Sequence, residues 1–267
     1  MSGGILLTEV RDRVAVLTMN RPEARNALSR ELLAALPAAM TACEADDAVD
    51  VVILTGTDPA FTAGIDLKSL AAGPAAGTTP PSSAPAPGTR QEPFPQISKP
   101  VIAAVNGAAV TGGLEVVLAC DFVIASERAR FADTHARVGI MPGWGLTVRL
   151  AEAVGQRRAR EMSTTGNFVD ARTAYDWGLV NHVVPHEELL PYCRALAADI
   201  VSNDQPGVRE ILATYRAELA TTADAQLDLE SRRSREWMTN GGGRPDEIAR
   251  RREAIVARGR AQQGDPR

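Results

Sequence analysis

Glu115 stands in the stretch VTGGLEVVLACD (110–121) between Leu114 and Val116, an ionisable carboxyl set among apolar residues. The glycines at 112 and 113 follow a strand-prone run and a turn, which places them at the start of a helix. Backbone N–H groups there have no intrahelical partner and the helix dipole is positive. Glycine also lets a ligand approach the backbone closely. Glu115 follows Gly112 by one helical turn and lies on the same face. A donor for an oxygen gaining negative charge and a group that exchanges protons would then share one pocket wall. A purely structural reading stands equally open from spacing alone: a first-turn glutamate favoured by the dipole, or one closed in a buried ion pair.

A second donor is expected in AFTAGIDLKSL (60–70), where small residues at Ala63 and Gly64 turn the chain toward a helix beginning near Asp66. The Ile65 N–H would be free there. Two amides from separate loops form the oxyanion hole that acyl chemistry requires.

The elements that must position these groups follow from the pattern. ILLTEV and VAVLTMN read as a hairpin turning at Arg11, Asp12 and Arg13. Ser29 caps a helix with Leu32, Leu33, Leu36, Met40 and Cys43 on one side, interrupted by Pro37. VDVVILTG and KPVIAAVNG are short apolar strands covered on both faces. Strands follow at DFVIAS and near RFADTHA, and another at LVNHVVP. Helices are expected at 145–154, 157–164, 170–177, 186–203, 206–237 and 246–261. Residues 71–96, rich in Ala, Pro, Gly, Ser and Thr, read as a mobile surface loop. Alternating strands and helices followed by helices alone predict an α/β core with a helical C-terminal part, divided here as 1–200 and 201–267.

The bulk composition removes several function classes. With 29 basic and 33 acidic residues the net charge is -4, so no electrostatic grip on nucleic acid is expected. Only 4% of residues are aromatic, too few for base-stacking platforms. The three cysteines are scattered and odd in number, which reads as free thiols in a reducing compartment. No apolar run reaches the roughly 18 residues of a membrane span and no signal region opens the chain, so a cytoplasmic protein is expected. His182 and His186 are set around Pro185 in a strand-like segment and make no metal site; no P-loop, dinucleotide fingerprint or nucleophile elbow occurs. No metal and no separate cofactor are expected.

RPEARNAL, FTAGIDL, KPVIAAVNGAAVTGGLEVVLACD, FADTHARVGIMPGWG and DARTAYDWGLVNHVVP come in the order and approximate spacing of the enoyl-CoA hydratase/isomerase, or crotonase, superfamily. The chain resembles that family from about residue 5 to 200, with a compatible helical tail. The resemblance implies a crotonase-like spiral of ββα units with a helical C-terminal trimerisation region, assembled as a homotrimer or a hexamer of paired trimers. It implies an acyl-CoA thioester as substrate, coenzyme A being part of that substrate. Its carbonyl oxygen would be held by the amides of Ile65 and Gly112. Ala63, Asp66, Leu67 and Lys68 would line the coenzyme A site, with Arg25 and Ala27 nearby. Glu115 matches the first of the two glutamates with which hydratases position and activate water.

At the second glutamate's position this chain carries His135. Histidine titrates near neutrality and can serve as either acid or base; it can equally be a structural residue bonded to a neighbour. Asp133, two residues earlier on an expected strand, would face the same side. It would orient the imidazole or, as is commoner, be solvated. Arg137 would pair with Glu115 or Asp133, or stand exposed. Trp144, in MPGWG, would narrow the space near the acyl chain, or fill core. The leading expectation is reversible hydration of a trans-2-enoyl-CoA. An isomerase of the same superfamily and a non-catalytic acyl-CoA-binding protein remain as alternatives.

Overall fold

β3 (Val51–Gly56) is buried at every position, and its residues alternate between two cores. Val52 and Leu54 join the larger core with Ala103 and Val105 of β5 (Val101–Val105). Val51 and Ile53 join the smaller one with Ile102 and Ala104. The period of two sends successive side chains to opposite faces, so a continuous apolar run is what a doubly covered strand needs. The smaller core is closed by α7 (Leu189–Val201), whose Leu189, Cys193 and Ala197 repeat at helical spacing on the buried face. Replacing Leu54 with alanine at such a site costs about 2–5 kcal/mol.

In this computed structural model the described residues are 4–66 and 91–239, with scattered positions beyond. They form two sheets. Six strands run in the order β1-β2-β3-β5-β7-β10, with β1 (Leu6–Arg11) antiparallel to β2 (Val14–Met19) and β7 (Phe122–Ser126) parallel to both β5 and β10 (His182–Val184). Four shorter strands, β4 (Ala60–Thr62), β6 (Ala108–Val110), β8 (Arg130–Ala132) and β9 (Val169–Asp170), form the second sheet in that order. The chain visits the sheets in turn: β3 then β4, β5 then β6, β7 then β8. Each round moves one strand along both sheets, which is the spiral expected of the fold.

The first hairpin turns at Asp12 and Arg13, both at positive φ, as a tight two-residue connection demands. α1 (Arg30–Ala45) is capped by the Ser29 hydroxyl, and Pro37 lies within it without ending it. α2 (Gly112–Leu118) follows β6, and α3 (His135–Val138) follows β8. α4 (Leu146–Val154), α5 (Gln156–Thr165) and α6 (Ala171–Trp177) match the predicted helices to within a residue or two. The helix predicted from 186 begins with a 3-10 turn, His186–Glu188, before α7. α8 (Gln205–Thr239) bonds through Arg209 to Asp50 at 3.5 Å and through Arg216 to Asp121 at 2.8 Å. It then brings Ser234 beside Gly143. The helix predicted over 246–261 and most of the loop over 71–96 lie outside the described residues.

Candidate active site

β4, β6 and β8 are parallel neighbours, so the segments that leave their C-terminal ends emerge side by side. These are 63–66, 111–115 and 133–135, and they carry Ile65, Gly112, Glu115 and His135. Sequence-distant candidates meet because three strands share a direction.

Ile65 is held by a bridge to Leu28, whose N–H donates to the Gly64 carbonyl at 2.8 Å and whose carbonyl accepts from Asp66 at 3.2 Å. Both bonds go to the residues flanking Ile65. Its own N–H therefore points to the other side, with no acceptor among the described residues. Gly64 lies at φ +85°, and a Cβ there would stand 2.4 Å from the Val110 carbonyl oxygen. Only glycine permits both the turn and this approach between the two loops. Behind them sits fully buried Asn26. Its amide donates to the Thr57 and Ala60 carbonyls at 2.7 Å, and its oxygen accepts from the Arg21 N–H at 2.8 Å.

The Gly112 N–H opens α2 ahead of the first intrahelical bonds, which the N–H groups of Leu114 and Glu115 make to the Thr111 carbonyl. Its direction is set by Thr111, held at φ 56°, ψ -114°. A β-branched residue there is a true outlier and persists only where its surroundings over-determine it. The Thr111 N–H bonds the Ala132 carbonyl at 2.9 Å, and its hydroxyl makes a short bond to that of Thr134. A Cβ on Gly112 would lie 3.3 Å from both Trp144 Cζ3 and Ile65 Cγ1, so the indole and the Ile65 side chain flank this amide.

Glu115 is only 3% exposed. Its Oε1 accepts from the N–H groups of Gly143 (3.1 Å) and Trp144 (2.8 Å). Its Oε2 faces His135 Nε2 at 3.5 Å. His135, also buried, bonds through Nδ1 to Asp133 Oδ1 at 2.6 Å. The same oxygen accepts the His135 backbone N–H at 3.1 Å. The side chains thus run in a line, Asp133, His135, Glu115. Burial by itself would lower the His135 pKa; the hydrogen bond to Asp133 and the contact with Glu115, then the charges of both, outweigh it and raise the value to about 9. Burial would raise Asp133, but the His135 bond and charge, with help from Ser163, hold it below the usual carboxylate range.

Three expectations are corrected here. Asp133 is not solvated but 1% exposed. His135 does not share a strand with it, because β8 ends at Ala132 and His135 opens a one-turn helix. Arg137 pairs with neither carboxylate; it donates to the Thr165 carbonyl and to Asn167 Oδ1. Asn26, the strained Thr111 and the two amides gripping Glu115 carry no sequence signal beyond residue types common in loops.

Among the positions assigned to coenzyme A, Ala63 is exposed and bonds through its N–H to the Arg25 carbonyl, while Ala27 and Asp66 are half-buried. Asp66 Oδ2 lies 3.4 Å from the Arg21 guanidinium. Arg25 lines a cleft of about 540 Å³ with Ala60, Ala108, Arg128 and Arg130, at the opposite ends of the same short strands. Leu67 and Lys68 lie outside the described residues. His186 bonds Ser126 and Asp58, and His182 packs on Tyr192, so the two histidines serve separate neighbours. Burial pushes the Cys193 thiol up to about 12 and raises Cys120 further, which keeps both unionised.

The sequence profile of the enoyl-CoA hydratase/isomerase family matches residues 9–241. A probable peroxisomal enoyl-CoA hydratase of Arabidopsis thaliana is 36% identical over 92% of this chain and 90% of its own length. A crotonyl-CoA hydratase of Syntrophomonas wolfei is 37% identical over 85% and 86%. The crystal structure of an enoyl-CoA hydratase from Mycobacterium tuberculosis H37Rv superposes with a TM-score of 0.80 at 49% identity, covering 89% of this chain and 99% of that one.

Proposed function

The chain belongs to the enoyl-CoA hydratase/isomerase family, and from that premise we propose that it hydrates a trans-2-enoyl-CoA thioester reversibly, with Glu115 and His135 as its acid–base pair. The reading is carried by one observation. Two buried groups able to exchange protons face each other at 3.5 Å, on segments adjoining two amides that have no acceptor among the described residues.

In this reading the Ile65 and Gly112 amides hold the thioester oxygen while negative charge develops on it. Water bonds to the β-carbon through its oxygen and gives a proton to Glu115. The displaced π pair passes toward the α-carbon, which takes the proton of His135 Nε2. Glu115 is then protonated and His135 neutral. A transfer from Oε2 to Nε2 across their contact restores the starting state, so the balance is one water added. Dehydration is the same sequence reversed. Ala27, Ala63, Asp66, Leu67 and Lys68 are assigned to the coenzyme A moiety, with Arg25 nearby. No cofactor is required, because the thioester itself delocalises the charge. We place the reaction in the cytoplasm, and among the described residues no helix is long and apolar enough to cross a membrane.

Crotonyl-CoA tests the assignment. Loss of its conjugated ultraviolet absorbance is expected, with Glu115→Gln lowering the rate by roughly 10²-fold or more while still binding the thioester. Conversion of a 3-enoyl-CoA to its 2-enoyl isomer without hydration would instead identify an isomerase. Tight binding with turnover of neither would identify a binding protein.

A further inference from the structure

We propose that Asp133 is the positioning residue of this site, holding His135 as an imidazolium whose Nε2–H is presented to Glu115 and the substrate. The inference rests on the reading of His135 as the second acid–base group. It adds a third residue and a fixed protonation state to that pair.

The geometry constrains the ring from one side only. Asp133 Oδ1 accepts both the ring Nδ1–H, at 2.6 Å, and the main-chain N–H of the same histidine, at 3.1 Å. One oxygen bonded to the two ends of a residue leaves its imidazole a single orientation, with Nε2 directed away from Asp133. On that far side the partner is Glu115 Oε2 at 3.5 Å, an ion-pair distance without the geometry of a formed hydrogen bond. A tight bond at Nδ1 and a loose contact at Nε2 make the Nε2 proton the transferable one.

The charge balance leads to the same conclusion. Asp133 is 1% exposed and His135 4%. A neutral ring would leave two buried carboxylates with no cation between them, whereas the imidazolium neutralises one and bridges both. The ionisable groups facing the ring are Asp133 from its own turn and Glu115 from α2. From α5 comes Ser163, which helps to hold the Asp133 carboxyl low. The segment before α4 presents only the Gly143 and Trp144 amides, which are bonded to Glu115. Arg137, on the same short helix as His135, is drawn to Thr165 and Asn167. No other cation among the described residues supplies what the imidazolium supplies.

The test is a proton titration of the intact protein by nuclear magnetic resonance. It has only three histidines, so His182→Gln and His186→Gln assign the His135 ring signal. In the wild type that signal should remain imidazolium past pH 8. Asp133→Asn should bring its midpoint to about 6.5 or below. In the hydration assay the same substitution should lower kcat roughly 10- to 100-fold with little change in KM, and should move the basic limb of the rate profile to lower pH. In a His135→Gln background it should cost nothing further, because Asp133 acts only through that ring.

An unchanged titration and an unmoved basic limb in Asp133→Asn would overturn the proposal. So would rate losses that multiply in the double variant, which is what a merely structural residue shows. Should Asp133→Asn fail to fold, the wild-type signal decides, and a midpoint at or below 6.5 is fatal. Absence of hydration by the wild type would refute the assigned reaction alone, since the titration needs no turnover.

Discussion

His135 keeps its proton through a range in which an ordinary histidine has lost it, and the pair of carboxylates around it is the reason. The folded protein holds that proton up to about pH 9, while the unfolded chain releases it near 6.5, so folding takes up a proton between those values. The stability this confers is complete below about pH 6.5 and is lost as pH rises through 9. In full it is on the order of 3 kcal/mol. The thermal midpoint should therefore fall by about 5 °C between pH 6.5 and 9, and His135→Gln should flatten that slope; calorimetry across the range checks both. Trp144 allows a second prediction at this scale. Its ring edge lies against Gly112, beside the place assigned to the reacting thioester. Trp144→Ala should raise kcat/KM for longer acyl groups relative to crotonyl-CoA by roughly tenfold, about what one or two methylenes are worth in a pocket. A uniform loss across chain lengths would assign the indole to packing alone.

Elements place these residues, and the strained turns between elements aim them. Gly64 is the clearest case, since its positive φ and its approach to the Val110 carbonyl leave no room for a methyl group. Gly64→Ala should push the β4 loop away from β6 and carry the Ile65 amide with it. A rate loss of roughly 10²-fold, the scale of one missing oxyanion donor, is expected alongside destabilisation of about 1–3 kcal/mol; kinetics and denaturant midpoints on one preparation separate the two. Much of this level was legible in the sequence. Apolar runs marked β3 and β5, Ser29 marked the start of α1, and paired glycines marked the start of α2, because each reflects a local rule of burial or capping. The Asp133–His135 contact was one of two readings and ranked second to a solvated Asp133, because it depends on where β8 stops. A strand one residue longer and a one-turn helix leave the same pattern, and only the latter folds the imidazole back onto its neighbour's carboxylate. The Arg137 contacts were illegible for a similar reason: its acceptors, Thr165 at the end of α5 and Asn167 just beyond it, lie far from it in sequence.

For the molecule as a whole, α8 is the element that local rules describe least. Its length was legible, but its path, from Asp50 past Asp121 to Gly143, is set by ion pairs with residues far away in sequence. Ile211 and Tyr215, one turn apart on that helix, are 59% and 65% exposed in the single chain. Apolar side chains presented in that way are consistent with a surface that another copy covers. We therefore propose self-association as a trimer or a pair of trimers. Light scattering at micromolar concentration should give the mass of three or six chains, and Ile211→Arg with Tyr215→Glu should reduce it. A monomer in the unaltered protein would refute this.

The three segments that carry Ile65, Gly112 and His135 leave adjacent strands of the smaller sheet, and those strands come from three successive rounds of the spiral. Nothing in any one round contains more than a fraction of the reactive centre. Turnover therefore reports on the last stages of folding: during refolding from denaturant, enzymatic activity should return after the far-ultraviolet signal of the individual helices and strands.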